Sequence, residues 1–245
     1  MSAAADPLAE VFAAAPRAPE LVLLEGFHAV KHALRFGAEL IAVAAADRAA
    51  ARRLAHALAP DVAERLDAVA VERPLAPLVD PVPRTGVAAV ARRPAFACPP
   101  ATAAGAPVVL LDDPRHLGNI GAVVRVAAAA GAAAVLTTGA ADPWAPAALR
   151  GSAGLHFALP VGRAGPSVAG ARPLVAVVPG GPPLGGVALP ASPLLAFGSE
   201  RRGLGAALLE RADARVGIPM RPGVSSLNLA TAVAVVLYAG AAVVP

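Results

Sequence analysis

The second half of the chain is punctuated by short apolar runs that end in polar or glycine-rich turns. Residues 108–111, 134–138, 174–178 and 194–197 are four such runs, and 216–218 is a shorter fifth. The first reads as a buried strand and the others as strands of the same kind. Helical stretches separate them, at 118–131 and from Ser225 onward. Strand and helix alternating at this spacing predict an α/β unit with a mostly parallel sheet and helices on both faces. Residues 179–193, crowded with Gly and Pro, read as an irregular loop.

The first half carries a smaller α/β pattern. Residues 1–20 read as a loose, flexible arm with one helical turn. From the segment 27–36 onward, Val30, Ala33, Leu34 and the following Gly37 recur at helical spacing, and Gly37 can stop the helix. A strand over 39–46, a helix over 48–58 closed by Pro60, a strand over 66–71, a short helix over 74–79 and a strand over 86–91 follow. The domains expected are therefore 21–93 and 108–245, joined by a Pro/Ala-rich linker over 94–107.

Charge is distributed unevenly. Residues 1–105 hold 11 basic and 11 acidic residues, whereas 106–245 hold 10 Arg against 6 acids, so the net +4 lies in the second part. A modest basic excess favours a polyanionic partner. Lys31 is the only lysine, so arginine usage reflecting genome composition explains the excess equally well. Cys98 is alone, which excludes a disulfide framework or a thiolate cluster within one chain and suits a reducing compartment. Scarce aromatics argue against a stacking platform for single strands. His28 and His32 are spaced for a metal but lack a third ligand nearby, so no metal site is expected. The apolar run 227–244 is interrupted by Asn228, Thr231 and Tyr238 and reads as a buried helix, with no membrane partner.

Three segments, each at the carboxyl end of an expected strand, carry polar residues where open α/β sheets place ligands. In the first, Asp112 ends a strand and a helix begins near Gly118, bringing Asn119 and Arg125. Asn119 is either a helix cap or a functional amide. Arg125, set among Val123, Val124, Val126 and Ala127, calls for an anionic partner or an interface. In the second, Gly198 ends a strand and Glu200 stands beside Arg201 and Arg202 in a glycine-bounded turn. In the third, a Pro/Gly loop after Ile218 runs into Ser225, Ser226 and Asn228, more polar groups than capping needs. No glycine-rich dinucleotide fingerprint and no phosphate-binding loop with its Lys is present, which disfavours a dehydrogenase or a P-loop enzyme.

Together the segments resemble the signature motifs of the SpoU/TrmH family of RNA 2′-O-ribose methyltransferases, in the SPOUT superfamily. The first motif corresponds to Asn119, Gly121, Ala122 and Arg125, and the second to Gly198, Ser199, Glu200 and Gly203. The third corresponds to Ile218, Pro219 and Met220 followed by Ser226, Leu227 and Asn228. Arg150 to Gly154 and Leu159-Pro160 resemble the family's middle segment. Residues 21–93 resemble the small L30e-like substrate-binding domain that often precedes this catalytic domain. The cues are Glu25 to Val30 and Thr85 to Val90, although Arg84 and Thr85 replace the usual His-Gln.

The resemblance implies a deep trefoil knot in the C-terminal domain and a homodimer with active sites at the subunit interface. It implies S-adenosyl-L-methionine as cofactor, held near Thr138, Gly139, Gly198, Ile218, Met220 and Leu227. It implies that Asn119, Arg125, Glu200, Ser226 and Asn228 serve catalysis. Arg125 either acts as the base or clamps an RNA phosphate and steadies the developing alkoxide; a guanidinium that stays protonated favours the clamp. The implied partner is RNA, with ribosomal RNA favoured over transfer RNA and no DNA, and the implied location is cytoplasmic. The rival reading is a non-catalytic RNA-binding or ribosome-assembly protein that retains the fold.

Overall fold

The computed structural model describes residues 6–101 and 105–240. Residues 1–5, 102–104 and 241–245, parts of the expected arm, linker and terminal helix, lie outside the described residues. The chain divides into two compact units, one of Met1–Ala95 with Ala153–Ala158, the other of Phe96–Ser152 with Leu159–Pro245.

The first unit runs α1 (Pro7–Ala14), β1 (Leu21–Glu25), α2 (Phe27–Arg35), β2 (Leu40–Ala45), α3 (Arg48–Leu58), α4 (Ala63–Val69), β3 (Val71–Glu72) and β4 (Val87–Arg92). Its sheet has the order β1-β4-β2-β3, with β4 antiparallel to both neighbours and β3 parallel to β2. Within the expected arm, Pro7–Ala14 form a two-turn helix, longer than the one turn expected. Asp6 caps it by accepting from the Leu8 N–H at 3.2 Å, Pro7 supplies a fixed first dihedral, and Phe12 is buried in the core. The expected strand over 66–71 is mostly helix α4. Ala63 and Leu66 are buried three apart while Glu64 and Arg65 face water, a helical rather than alternating period. The expected helix over 74–79 is a single turn closed by the Val79 N–H on the Leu75 carbonyl. Thr85 acts locally, since its Oγ1 accepts the Phe27 N–H at 2.8 Å and caps α2.

The second unit runs β5 (Val108–Leu111), α5 (Leu117–Ala129), β6 (Ala134–Thr137), α6 (Pro146–Ser152), β7 (Val161–Arg163), β8 (Leu174–Val177), β9 (Leu194–Phe197), α7 (Ala206–Arg211), β10 (Ala214–Val216) and α8 (Leu229–Gly240). Six strands form one sheet, order β10-β8-β9-β5-β6-β7, and every pairing is parallel. Val108, Leu110, Leu136, Leu174 and Leu194 form a buried layer with Leu204 and Leu208. The alternate residues Val109, Leu111 and Val135, also buried, take the opposite face. The last helix starts at Leu229 rather than at Ser225, and the strand expected at 216–218 lies at 214–216. Elements α6, β7 and α7 were not expected from the sequence. Among the described residues, no helix is long and apolar enough to cross a membrane.

Two details fix this unit locally. Arg172, 3% exposed, donates to the carbonyls of Pro99, Pro100, Ala106 and Ser192 at 2.9–3.3 Å, which anchors the Pro/Ala-rich stretch expected as a linker. Helices α5 and α6 approach backbone to backbone at Gly121, where an added Cβ would lie 2.1 Å from the Ala148 carbonyl oxygen. A Gly121→Ala substitution should therefore force the helices apart and destabilise the unit by about 1–3 kcal/mol, the usual scale of overpacking. Urea unfolding monitored by circular dichroism checks this, and an unchanged midpoint would contradict it.

Candidate active site

All strands of the second sheet point the same way, so the loops after β5, β6, β8, β9 and β10 leave one edge. Strand order reverses between β5 and β9, the kind of switch point where open α/β sheets bind ligands. A cavity of about 380 Å3 opens at this edge. Val177, Val178, Phe197, Leu204 and Ile218 give it apolar walls, and Ser199, Ser226 and Asn228 add polar groups. Among the described residues, Glu200 is its one charged lining residue.

The turn after β9 is closed by its own backbone. Ser199 and Gly203 exchange N–H···O bonds of 3.1 and 3.0 Å. Gly198 is required by this closure, since a Cβ there would stand 2.0 Å from the Gly203 carbonyl carbon. The turn is also tied to β5. Asp112 Oδ2 accepts the Gly205 N–H at 2.8 Å, while its Oδ1 accepts the Thr138 hydroxyl at 2.8 Å. One carboxylate thereby joins the ends of β5 and β6 to the loop after β9.

Three of the sequence-derived polar residues form a single hydrogen-bonded chain. The Asn119 amide donates to Glu200 Oε1 at 2.7 Å, and its carbonyl oxygen accepts from Asn228 Nδ2 at 3.1 Å. Asn119 is inside the first turn of α5 and does not cap it; the capping position is His116. Asn228 does cap, accepting the Ala230 N–H at 3.0 Å, and also reaches Asn119. Burial pushes the Glu200 carboxyl up. The Asn119 hydrogen bond, backbone N–H groups at Glu200 and Arg115, and nearby His116 outweigh it and hold the carboxyl below its ordinary value.

Other expected residues divide between the cavity and its surroundings. Gly198, Glu200, Ile218, Met220, Ser226, Leu227 and Asn228 line it. Thr138 and Gly139 are not among its lining residues; they stand at the end of β6 against Asp112 and Asp113. Arg125 is exposed on α5, outside the lining, and makes no hydrogen bond or ion pair among the described residues. Sequence reasoning missed Asp112 and Asp113. Their signal was available: two adjacent acids closing a buried strand.

A parallel sheet with helices on both faces and a polar cleft at its carboxyl edge defines an α/β ligand-binding unit. The family described as SpoU rRNA Methylase matches residues 106–238, and the chain belongs to it. The chain is similar to the Bacillus subtilis 23S rRNA (guanosine(2553)-2'-O)-methyltransferase RlmP, 35% identical over 139 residues, 54% of this chain and 56% of that protein. It is likewise similar to the Streptomyces viridochromogenes 23S rRNA (uridine(2479)-2'-O)-methyltransferase, 36% identical over 145 residues, 53% of this chain and 50% of that protein. The chain spans about half the length of the curated relatives it matches. Among solved structures it resembles an RNA 2'-O ribose methyltransferase with a TM-score of 0.74 and 28% identity, covering 97% of this chain and 96% of that one. It also resembles the SpoU methyltransferase AviRb from Streptomyces viridochromogenes in complex with AdoMet, with a TM-score of 0.75, 25% identity and coverage of 96% and 97%.

A carboxyl held below its ordinary value stabilises the fold above that value and loses the contribution as pH falls through its own titration. The Glu200 carboxyl should thus titrate below the ordinary glutamate value in a carbon-detected NMR titration. Asn119→Ala should move the midpoint upward; a midpoint that stays in place would show that Asn119 does not hold the charge.

Proposed function

We propose that this chain is an S-adenosylmethionine-dependent RNA methyltransferase that modifies a ribose 2′-hydroxyl, with ribosomal RNA as the favoured substrate. The observation that carries the reading is the Glu200–Asn119–Asn228 chain at the mouth of the cavity, which joins all three motif segments. The cavity also suits the cofactor. Its volume lies within the roughly 300–1,000 Å3 of small-molecule sites, its walls are mostly apolar, and its single charge is negative, which matches a sulfonium cation. Bound there, the cofactor would supply an electrophilic methyl group. Gly198, Ile218, Met220 and Leu227 would hold it.

The chain's own residues must then orient and activate a weak nucleophile. Glu200, kept ionised, and Asn228 fix the Asn119 amide between them, so these three present one rigid set of donors and acceptors. Ser226 adds a hydroxyl to the cavity lining. Positioning of this kind is worth several kcal/mol in general. Arg125 stabilises the negative charge developing on the attacking oxygen, whose proton passes to water, and grips the adjacent phosphate; its guanidinium suits that part better than the part of base.

Arg125 lies outside the lining of its own chain's cavity, so the reading includes a homodimer in which the partner's cavity receives it. Val235 and Tyr238 on α8 are 38% and 56% exposed, an apolar surface suited to such packing. The first unit serves as the RNA-substrate domain in this reading, the C-terminal segments form the trefoil knot, and the protein works in the cytoplasm. The reading where the fold only binds RNA remains the rival.

Labelled S-adenosylmethionine incubated with total RNA from a host lacking the protein should yield a new 2′-O-methyl nucleoside, identified by mass spectrometry. Cofactor binding without transfer would favour the RNA-binding rival, and absence of both would sink the reading. Arg125→Ala should abolish transfer and leave cofactor binding intact. Cofactor at a hundred times its dissociation constant should still stabilise that variant by about 2.7 kcal/mol in thermal unfolding.

A further inference from the structure

Two arginines from different loops converge on one acid beside the cavity. Arg115 Nη2 donates to Asp113 Oδ2 at 2.6 Å, and Arg202 Nη2 donates to the same oxygen at 2.8 Å. The backbone of Arg115 is near enough to Glu200 to help lower its carboxyl's titration, and Arg202 follows Glu200 by two residues, so both stand close to a cavity-lining group. Their side chains are 60% and 71% exposed. A single carboxylate cannot neutralise two guanidiniums, and each keeps several N–H donors free.

The acid between them is held unusually firmly. Asp113 has φ 48°, a left-handed backbone that aspartate adopts more readily than most non-glycine residues. Its N–H donates to Thr138 Oγ1 at 2.8 Å. Its carboxylate fills the space beside Gly139, where a Cβ would stand 2.3 Å from Oδ1. Exposed ion pairs add little to stability, so this arrangement is poorly explained as a brace. What it does fix is two guanidiniums side by side on one carboxylate oxygen, both of a kind that pairs with phosphate oxygens.

We infer that Arg115 and Arg202 form a phosphate-gripping pair, preorganised by Asp113, that seats the RNA backbone at the mouth of the cavity. The inference rests on the RNA-substrate reading above and assigns part of that substrate's contact surface. It gives Thr138 and Gly139 a definite role, which is to seat the acid.

The sign of one substitution separates this from general basic attraction. Asp113→Asn removes a negative charge, and asparagine tolerates the left-handed backbone as well as aspartate does. A diffuse basic surface would then bind RNA more tightly. A preorganised pair, losing the group that aligns it, binds several-fold more weakly. The measurement is fluorescence anisotropy of a mixed-sequence single-stranded RNA oligonucleotide over a salt series, with cofactor affinity measured by calorimetry on the same proteins. Arg115→Ala and Arg202→Ala, both at exposed positions, should each weaken RNA binding and flatten the dependence of log K on log salt by about 0.7, one phosphate contact. Cofactor affinity should match that of the unsubstituted protein in all three. An Asp113→Asn variant that binds as tightly as the unsubstituted protein or more so, or arginine variants with unchanged affinity and slope, would overturn the pair while leaving the methyltransferase reading intact. An unsubstituted protein that binds no RNA would overturn both.

Discussion

Parallel strands cannot be joined by a tight turn, so each must be reached by a crossover that carries the chain back along the sheet. In the second unit this applies to all six strands. It brings every carboxyl end to one edge and leaves the strands themselves little room for chemistry, since β5 and β9 are apolar and buried throughout. Polar groups of the unit therefore gather where strands stop. Asp112 and Asp113 close β5, Thr138 follows β6, and the Glu200 turn follows β9.

Loops gathered at an edge are not yet a site, because unsupported loops wander. The Asp112 carboxylate supplies support by bonding on one side to a side-chain hydroxyl and on the other to a backbone N–H. Hydrogen bonds to a charged group contribute roughly 1.5–3 kcal/mol each in proteins, enough to restrict a short turn. The next layer out, Glu200 with Asn119 and Asn228, then inherits a fixed frame. Asn119 and Glu200 lie in different crossovers and Asn228 lies after the last strand, so the alignment exists only in the folded sheet.

Much of the second unit was legible because apolar runs of strand length, separated by helical spacing, leave few alternatives. The runs 108–111 and 194–197 coincide with β5 and β9. Legibility failed where the signal was short or shared. Strand β7 has three residues and α7 six, too brief for a period to register. The stretch 66–71 holds Leu66, Ala68, Val69, Ala70 and Val71, an apolar count that suits strand or helix, and the burial of Ala63 just before it decides for helix. At the site, residue types pointed to Asn119, Glu200 and Asn228, but their mutual hydrogen bonds span about a hundred residues and no local pattern encodes them. The misplacement of Ser225 and Ser226 in the first turn of the last helix has the same origin: polar caps read alike whether the helix starts at once or four residues later.

The stretch around Pro99, Pro100 and Ala106 looked uninformative in sequence, since proline and alanine bring no polar side chains. What such a stretch does bring is carbonyl oxygens, and prolines leave fewer N–H groups to compete for them. Arg172, some seventy residues on, collects three of these oxygens with one planar guanidinium. A lysine could not replace it, because a single ammonium lacks the flat, branching reach to serve scattered acceptors. The economy of the segment is thus deceptive: monotonous composition here specifies a receptor for one particular side chain, and drift at position 172 would turn an ordered seam into slack.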